Sequence, residues 1–168
     1  MSRKRLGVLT ACALGLVLMI GVVQAGAQGS KQVLKFQDSS GTFSGVGFDA
    51  SNPNAIPPVG GQLVITTVLS NIGSQFGKPS GAKVGRALLD CTVLVVNTST
   101  QTIDGVCSGI VHVPDGFLTF GGNGAFNNAK VNYYDITGGD GPYVNDRGQV
   151  KVVNNANGGS VATVTLYS

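Results

Sequence analysis

The sequence predicts an all-β antiparallel domain, and three observations carry that prediction. No internal stretch sustains helical periodicity; short runs rich in Val, Ile, Thr, Tyr and Phe alternate with clusters of Gly, Asn, Pro and Asp. Glycine makes up 26 of 168 residues without a three-residue period, which excludes collagen, and 42% apolar content argues against disorder. Many strands in so short a chain require a barrel or a sandwich, and closure would remove exposed edges.

At the N-terminus, Ser2-Arg3-Lys4-Arg5 precedes an apolar run from Leu6 to Val23 and then Gln24-Ala25-Gly26-Ala27-Gln28. A positive segment, an apolar segment and an A-x-A site read as a signal peptide over 1–27, with one domain over 28–168. An uncleaved anchor is the alternative, because the run approaches bilayer-spanning length. The small-residue site and the lack of a following basic flank favour removal, so no stable membrane insertion is expected afterwards. Leu9-Thr10-Ala11-Cys12 resembles a lipoprotein box, but most of the apolar run follows the cysteine, against lipidation there. The protein is therefore expected to be secreted, in the extracellular space or cell envelope, under oxidising conditions.

The formal charge of +3 has the same origin. Arg3, Lys4 and Arg5 lie in the leader, and the eight remaining basic residues balance eight acids, every one an aspartate. A neutral body without an aromatic RNA-binding pattern excludes a nucleic-acid partner.

Strands are predicted near 32–38, 43–49, 61–70, 83–96, 101–113, 117–124, 130–137, 147–153 and 161–167. Ser51–Pro58 and Gly73–Gly81 are loops by their Pro, Gly and Ser content. The one helix-like turn falls around Gly139–Val144. The runs Ala82–Val96 and Thr102–Val113 flank a polar Asn97-Thr98-Ser99-Thr100 turn. A turn centred near Ser99 places Cys91 opposite Cys107. These are the two cysteines that remain after processing, so a disulfide is expected, contributing about 3 kcal/mol through chain entropy. Asn97-Thr98-Ser99 is also a formal glycosylation sequon, relevant only in a eukaryote.

The same register sorts side chains by face. Ala87, Leu89, Cys91, Val93, Cys107 and Val111 share a small, apolar face. Arg86–His112, Leu88–Ile110, Asp90–Ser108 and Thr92–Val106 share the other, either a polar-lined interior or a solvated exterior. Metal sites are poorly supported: there is one histidine, the cysteines are paired and the chain has no glutamate. No G-x-S-x-G, phosphate loop or calcium loop is present. Asp90, Arg86, His112 and Asp135 are the candidate catalytic groups for acid–base or electrostatic assistance, and Tyr133 and Tyr134 the candidate substrate-binding phenols. Each has a structural alternative: a packed aromatic for Tyr143, an ion pair of Arg147 with Asp146 or Asp140, and turn positions for Asp104 and Asp115.

Two segments, CSGIVHVPDGFLTFGG at Cys107–Gly122 and DITGGDGPYVNDRGQVKV at Asp135–Val152, resemble the allene oxide cyclase/dirigent superfamily, in a bacterial version. The likeness covers roughly residues 32–167. It implies an eight-stranded antiparallel β-barrel around a small-molecule cavity, often trimeric in plant members, that needs no cofactor. Gly138, Gly139, Gly141, Tyr143, Arg147 and Gly148 match its motif as structural positions. The resemblance also points to Asp90, Asp135 and Arg86 as pocket residues, while a cyclase-type glutamate has no counterpart here. The expected function is guidance of cyclisation, isomerisation or stereoselective coupling of a hydrophobic small molecule. The alternatives are a non-catalytic carrier or structural barrel with a filled lumen, and an interaction module using an exposed strand edge. Burial of Arg86, Asp90 and His112 in a roomy cavity would favour the first; a solvated face and a plugged lumen would oppose it.

Overall fold

In the computed structural model, which describes residues 30–49, 51–52, 55–100, 102–125, 131–155 and 159–167, eight antiparallel strands follow one another around a closed barrel. They are β1 (Lys31–Val46), β2 (Gln62–Asn71), β3 (Lys83–Asn97), β4 (Thr102–Val113), β5 (Gly116–Ala125), β6 (Val131–Gly139), β7 (Arg147–Asn154) and β8 (Ser160–Tyr167). β8 pairs with β1 through Lys31↔Tyr167 to Gln37↔Val161, which closes the sheet. Every strand has a neighbour on both sides, although β5 and β6 pair only from Leu118↔Gly139 to Gly121↔Asp135, so the edge-docking alternative is left with no whole strand edge. The signal peptide expected over 1–27 lies outside the described residues.

Two of the expected strands are one. The segments 32–38 and 43–49 form the continuous β1, which ends at Val46. The register with β2 shifts between Asp38 and Gly41, where β1 carries one extra residue. Such a bulge changes the parity of the strand. Leu34, Phe36 and Asp38 belong to the inner face before it, and Gly41 and Phe43 line the same interior after it. The broken alternation therefore reads as two strands in the sequence, although the chain never leaves the sheet.

The β3–β4 pairing is the expected one through its middle: Cys91↔Cys107, Ala87↔Val111, Leu88↔Ile110, Asp90↔Ser108 and Arg86↔His112. A shift between Val93 and Val95 slides the last pairs by one, to Asn97↔Thr102. The Cys91–Cys107 disulfide spans a sequence separation of 16 and is buried. Asn97 lies at this turn, its side-chain oxygen accepting from the Ser99 amide at 3.1 Å and the Ser99 hydroxyl at 2.7 Å.

One end of the barrel is sealed. The loop after β2 folds across it and is pinned by side chains: Asn71 Nδ2 donates to the Gln75 carbonyl at 2.9 Å, and Gln75 Nε2 to the Lys35 carbonyl at 2.6 Å. Phe76 thereby stacks on Phe36, centroids 6.3 Å apart and planes 8° from parallel. Beside it, the 3₁₀ turn Gly141–Tyr143 occupies the predicted helix-like position, capped by the Asp140 side chain accepting from the Gly141 amide at 2.7 Å. Tyr143 is fully buried, and its hydroxyl donates to Asp115 at 2.8 Å. Gly141, with φ +65, occupies the left-handed region, and Gly139 passes so close that an added Cβ would sit 2.8 Å from the Tyr143 carbonyl oxygen. These positions are structural, as the resemblance implies. Arg147 meets the backbone carbonyl of Asp146 at 3.2 Å, in place of the side-chain ion pair considered for it.

Candidate functional site

Above this seal the interior is hollow. A cavity of about 460 Å³ extends from Phe36, Leu69, Val111, Phe120 and Val164 towards Phe43, Ala125, Asn155 and Gly159 at the opposite end. Phe43 lines it while 60% exposed, marking that end as the mouth. The volume lies within the range of small-molecule pockets, and the wall is mainly aliphatic and aromatic, as such sites require.

The room comes from small residues on the inner face. Gly109 of β4 stands where Phe120 of β5 needs space: a Cβ there would overlap the Phe120 ring and lie 2.7 Å from the Leu88 carbonyl oxygen. Gly124 does the same for Tyr134, whose phenolic oxygen would be 2.7 Å from an added Cβ, and for Cys107 Sγ at 3.1 Å. Ala87 and Ala162 thin the wall further.

The outer wall of the barrel carries the four candidate catalytic groups away from this space, three of them on the β3–β4 hairpin. Arg86, Asp90 and His112 are exposed, as is Asp135 on β6, and none lines the lumen. Register explains it: the interior takes the small apolar face bearing the disulfide, and strict alternation sends Arg86, Asp90 and His112 outward. His112 instead rests against Phe117, centroids 5.6 Å apart. Tyr133 also points outward, half exposed, with the Lys151 ammonium 5.8 Å from its ring centroid. Of the six, only Tyr134 reaches the cavity. It is 4% exposed, packs against Phe120 at 5.5 Å, and burial pushes its phenol above the ordinary value.

The lumen has a carboxylate of its own, Asp38. It sits at the β1 bulge and lines the cavity together with Thr67 of β2 and Ser160 of β8. Thr67 Oγ1 donates to Asp38 Oδ1, and Ser160 Oγ donates to Asp38 Oδ2 at 3.3 Å. Asn132, whose side chain makes a two-way hydrogen bond with the Ala125 backbone, adds a polar edge near the mouth. The sequence holds a signal for Asp38: in Leu34-Lys35-Phe36-Gln37-Asp38 the alternation puts it on the face of two core residues. What the arrangement offers chemically is an apolar mould, one oriented carboxylate and one phenolic hydroxyl.

No protein-family model matches the chain, nor does any curated protein sequence. Solved structures do match in fold. A pyocyanin demethylase superposes with a TM-score of 0.57 at 19% identity, over 82% of this chain and 99% of that one. A Diels–Alderase from Streptomyces koyangensis gives 0.55 at 13% identity, over 86% and 72%. A pterocarpan synthase dirigent protein gives 0.54 at 15% identity, over 92% and 97%. The chain thus has the barrel fold of Diels–Alderases and dirigent proteins, as the sequence resemblance leads one to expect.

Proposed function

We propose that this barrel binds a hydrophobic small molecule in its lumen and guides that molecule's cyclisation or coupling by confinement, without a cofactor of its own. The observation that carries the reading is the hollow, largely apolar interior, into which only a few polar groups point. Reactions of this class gain most from holding a flexible substrate in a reactive fold, so a shaped wall contributes more than a nucleophile. Tyr134 would donate to a developing or existing oxygen charge, and its raised pKa keeps it a donor throughout the neutral range. Asp38 would accept from a substrate hydroxyl or N–H, or offset positive charge. The fold neighbours named as a Diels–Alderase and a pterocarpan synthase support the same chemistry.

Secretion belongs to the proposal. The leader-like N-terminus argues for export, and a disulfide is compatible with an oxidising compartment. So does self-association, a trimer by resemblance, for which exposed Leu88 and Val106 on the outer wall offer apolar surface.

A second reading, a carrier without catalysis, is favoured by one observation: Arg86, Asp90, His112 and Asp135 are all absent from the lumen. One experiment separates the two. Wild-type protein and a lumen-filling Ala162→Phe variant are incubated with hydrophobic metabolites extracted from the source cells. A new product, or a changed stereoisomer ratio, with wild type alone supports guided chemistry. A compound retained unchanged by wild type alone supports the carrier. Equal behaviour of the two proteins contradicts a functional lumen.

A further inference from the structure

We propose that the lumen selects an organic cation, an apolar and preferably aromatic ligand bearing a positively charged nitrogen, with the Asp38 carboxylate as its counter-ion. The inference deepens the lumen-binding reading and rests on it.

Charge balance inside the barrel is the first observation. Among the described residues lining the lumen, Asp38 is the single carboxylate, and there is no lysine, arginine or histidine. Thr67 and Ser160 each donate to one of its oxygens, which orients the group without neutralising it. An ionised carboxylate has room for about four accepted hydrogen bonds, so lone pairs remain for a ligand. The surrounding wall is built from Leu63, Ile65, Leu69, Val152 and their neighbours, so the charge is only partly screened by water. A cation placed beside it is attracted more strongly than in bulk solvent, and an anion is repelled to the same degree.

The aromatic content of the same wall is the second observation. Phe36, Phe43, Phe120 and Tyr134 all line the cavity. Ring faces are electron-rich, and they attract a desolvated cation. Aromatic rings around one uncompensated carboxylate fit a lipophilic cation on both counts. A neutral ligand of the same shape would use the walls and forgo the charge; a ligand carboxylate would meet repulsion.

The test uses three ring systems of closely similar shape at pH 7.5: N-methylacridinium, acridine and acridine-9-carboxylate, each titrated into the full-length processed protein by fluorescence. The expected order is cation over neutral by tenfold or more, with the anion weakest. Asp38→Asn keeps an acceptor for one hydroxyl and offers its amide N–H to the oxygen of the other, and should bind acridine within about twofold of wild type while losing the preference for the cation. Wild-type binding of acridine at least as tight as that of N-methylacridinium overturns the proposal and leaves lumen binding standing. A cation preference that persists in Asp38→Asn overturns it too, because the charge then acts elsewhere. Should Asp38→Asn fail to fold, the wild-type order of the three probes decides by itself. Failure of all three to bind removes the lumen reading and this inference with it.

Discussion

Ser160 on β8 donates to Asp38 on β1 at 3.3 Å, a contact between residues 122 positions apart that bridges the seam where the barrel closes. Thr67 of β2 holds the other carboxylate oxygen, so one side chain ties together the three strands around the mouth of the cavity. Removing it by Asp38→Ala frees two hydroxyls, but both face a lumen where water can replace the lost partner. The expected loss is about 1 kcal/mol in urea denaturation, with the far-UV spectrum unchanged.

The Cys91–Cys107 bridge links the central pair of the β3–β4 hairpin across 16 positions of sequence. In the chain-entropy picture a loop of this size is worth about 3 kcal/mol. The double variant Cys91→Ala/Cys107→Ala is expected to lose that amount relative to the oxidised protein in denaturant titrations. Thiol labelling of the native protein should find neither Cys91 nor Cys107 reactive.

Tyr143 links stability to alkaline pH. Burial comes first, followed by the hydrogen bond to Asp115 and the nearby carboxylate charges, and together they hold its phenol far above the ordinary value of 10.0. The folded state therefore keeps the proton more tightly than the unfolded chain. The contribution is complete below pH 10, and stability falls as pH rises beyond it, where the unfolded phenol ionises first. Tyr143→Phe should cost about 1 kcal/mol at pH 7 from the lost hydrogen bond. Above pH 10 its decline should be shallower than that of wild type, though not absent, because Tyr134 is shifted in the same sense.

Gly109 marks where the wall tolerates no side chain. An added methyl would collide with the Phe120 ring and crowd the Leu88 carbonyl, which as backbone cannot rotate away. Gly109→Ala is expected to destabilise the barrel by about 1–3 kcal/mol by denaturant titration. It should also displace Phe120 and so change the affinity of any lumen ligand.

These expectations show how much the sequence carries. The pairing of Cys91 with Cys107 and the two faces of their hairpin follow from a turn and an alternation, both local. Which face turns inward is not local. It depends on closure through the β1–β8 seam, and polar Arg86, Asp90 and His112 look like a site only until that closure assigns them to solvent. Asp38 was hidden differently. Its alternation with Leu34 and Phe36 is readable, but the bulge just after it breaks the pattern and hides the link to Gly41 and Phe43. Thr67 and Ser160, which complete the cluster, lie 29 and 122 residues away. The cavity itself depends on glycines and alanines whose purpose appears only when the rings facing them are in place.

The central claim, that the lumen binds a hydrophobic small molecule, is tested most directly by titrating acridine into wild-type protein and into Ala162→Phe, whose added ring would occupy the cavity. The expected result is saturable binding of one molecule per wild-type barrel and none to a variant of undiminished stability. Equal binding by the two proteins, or none by either, would contradict it.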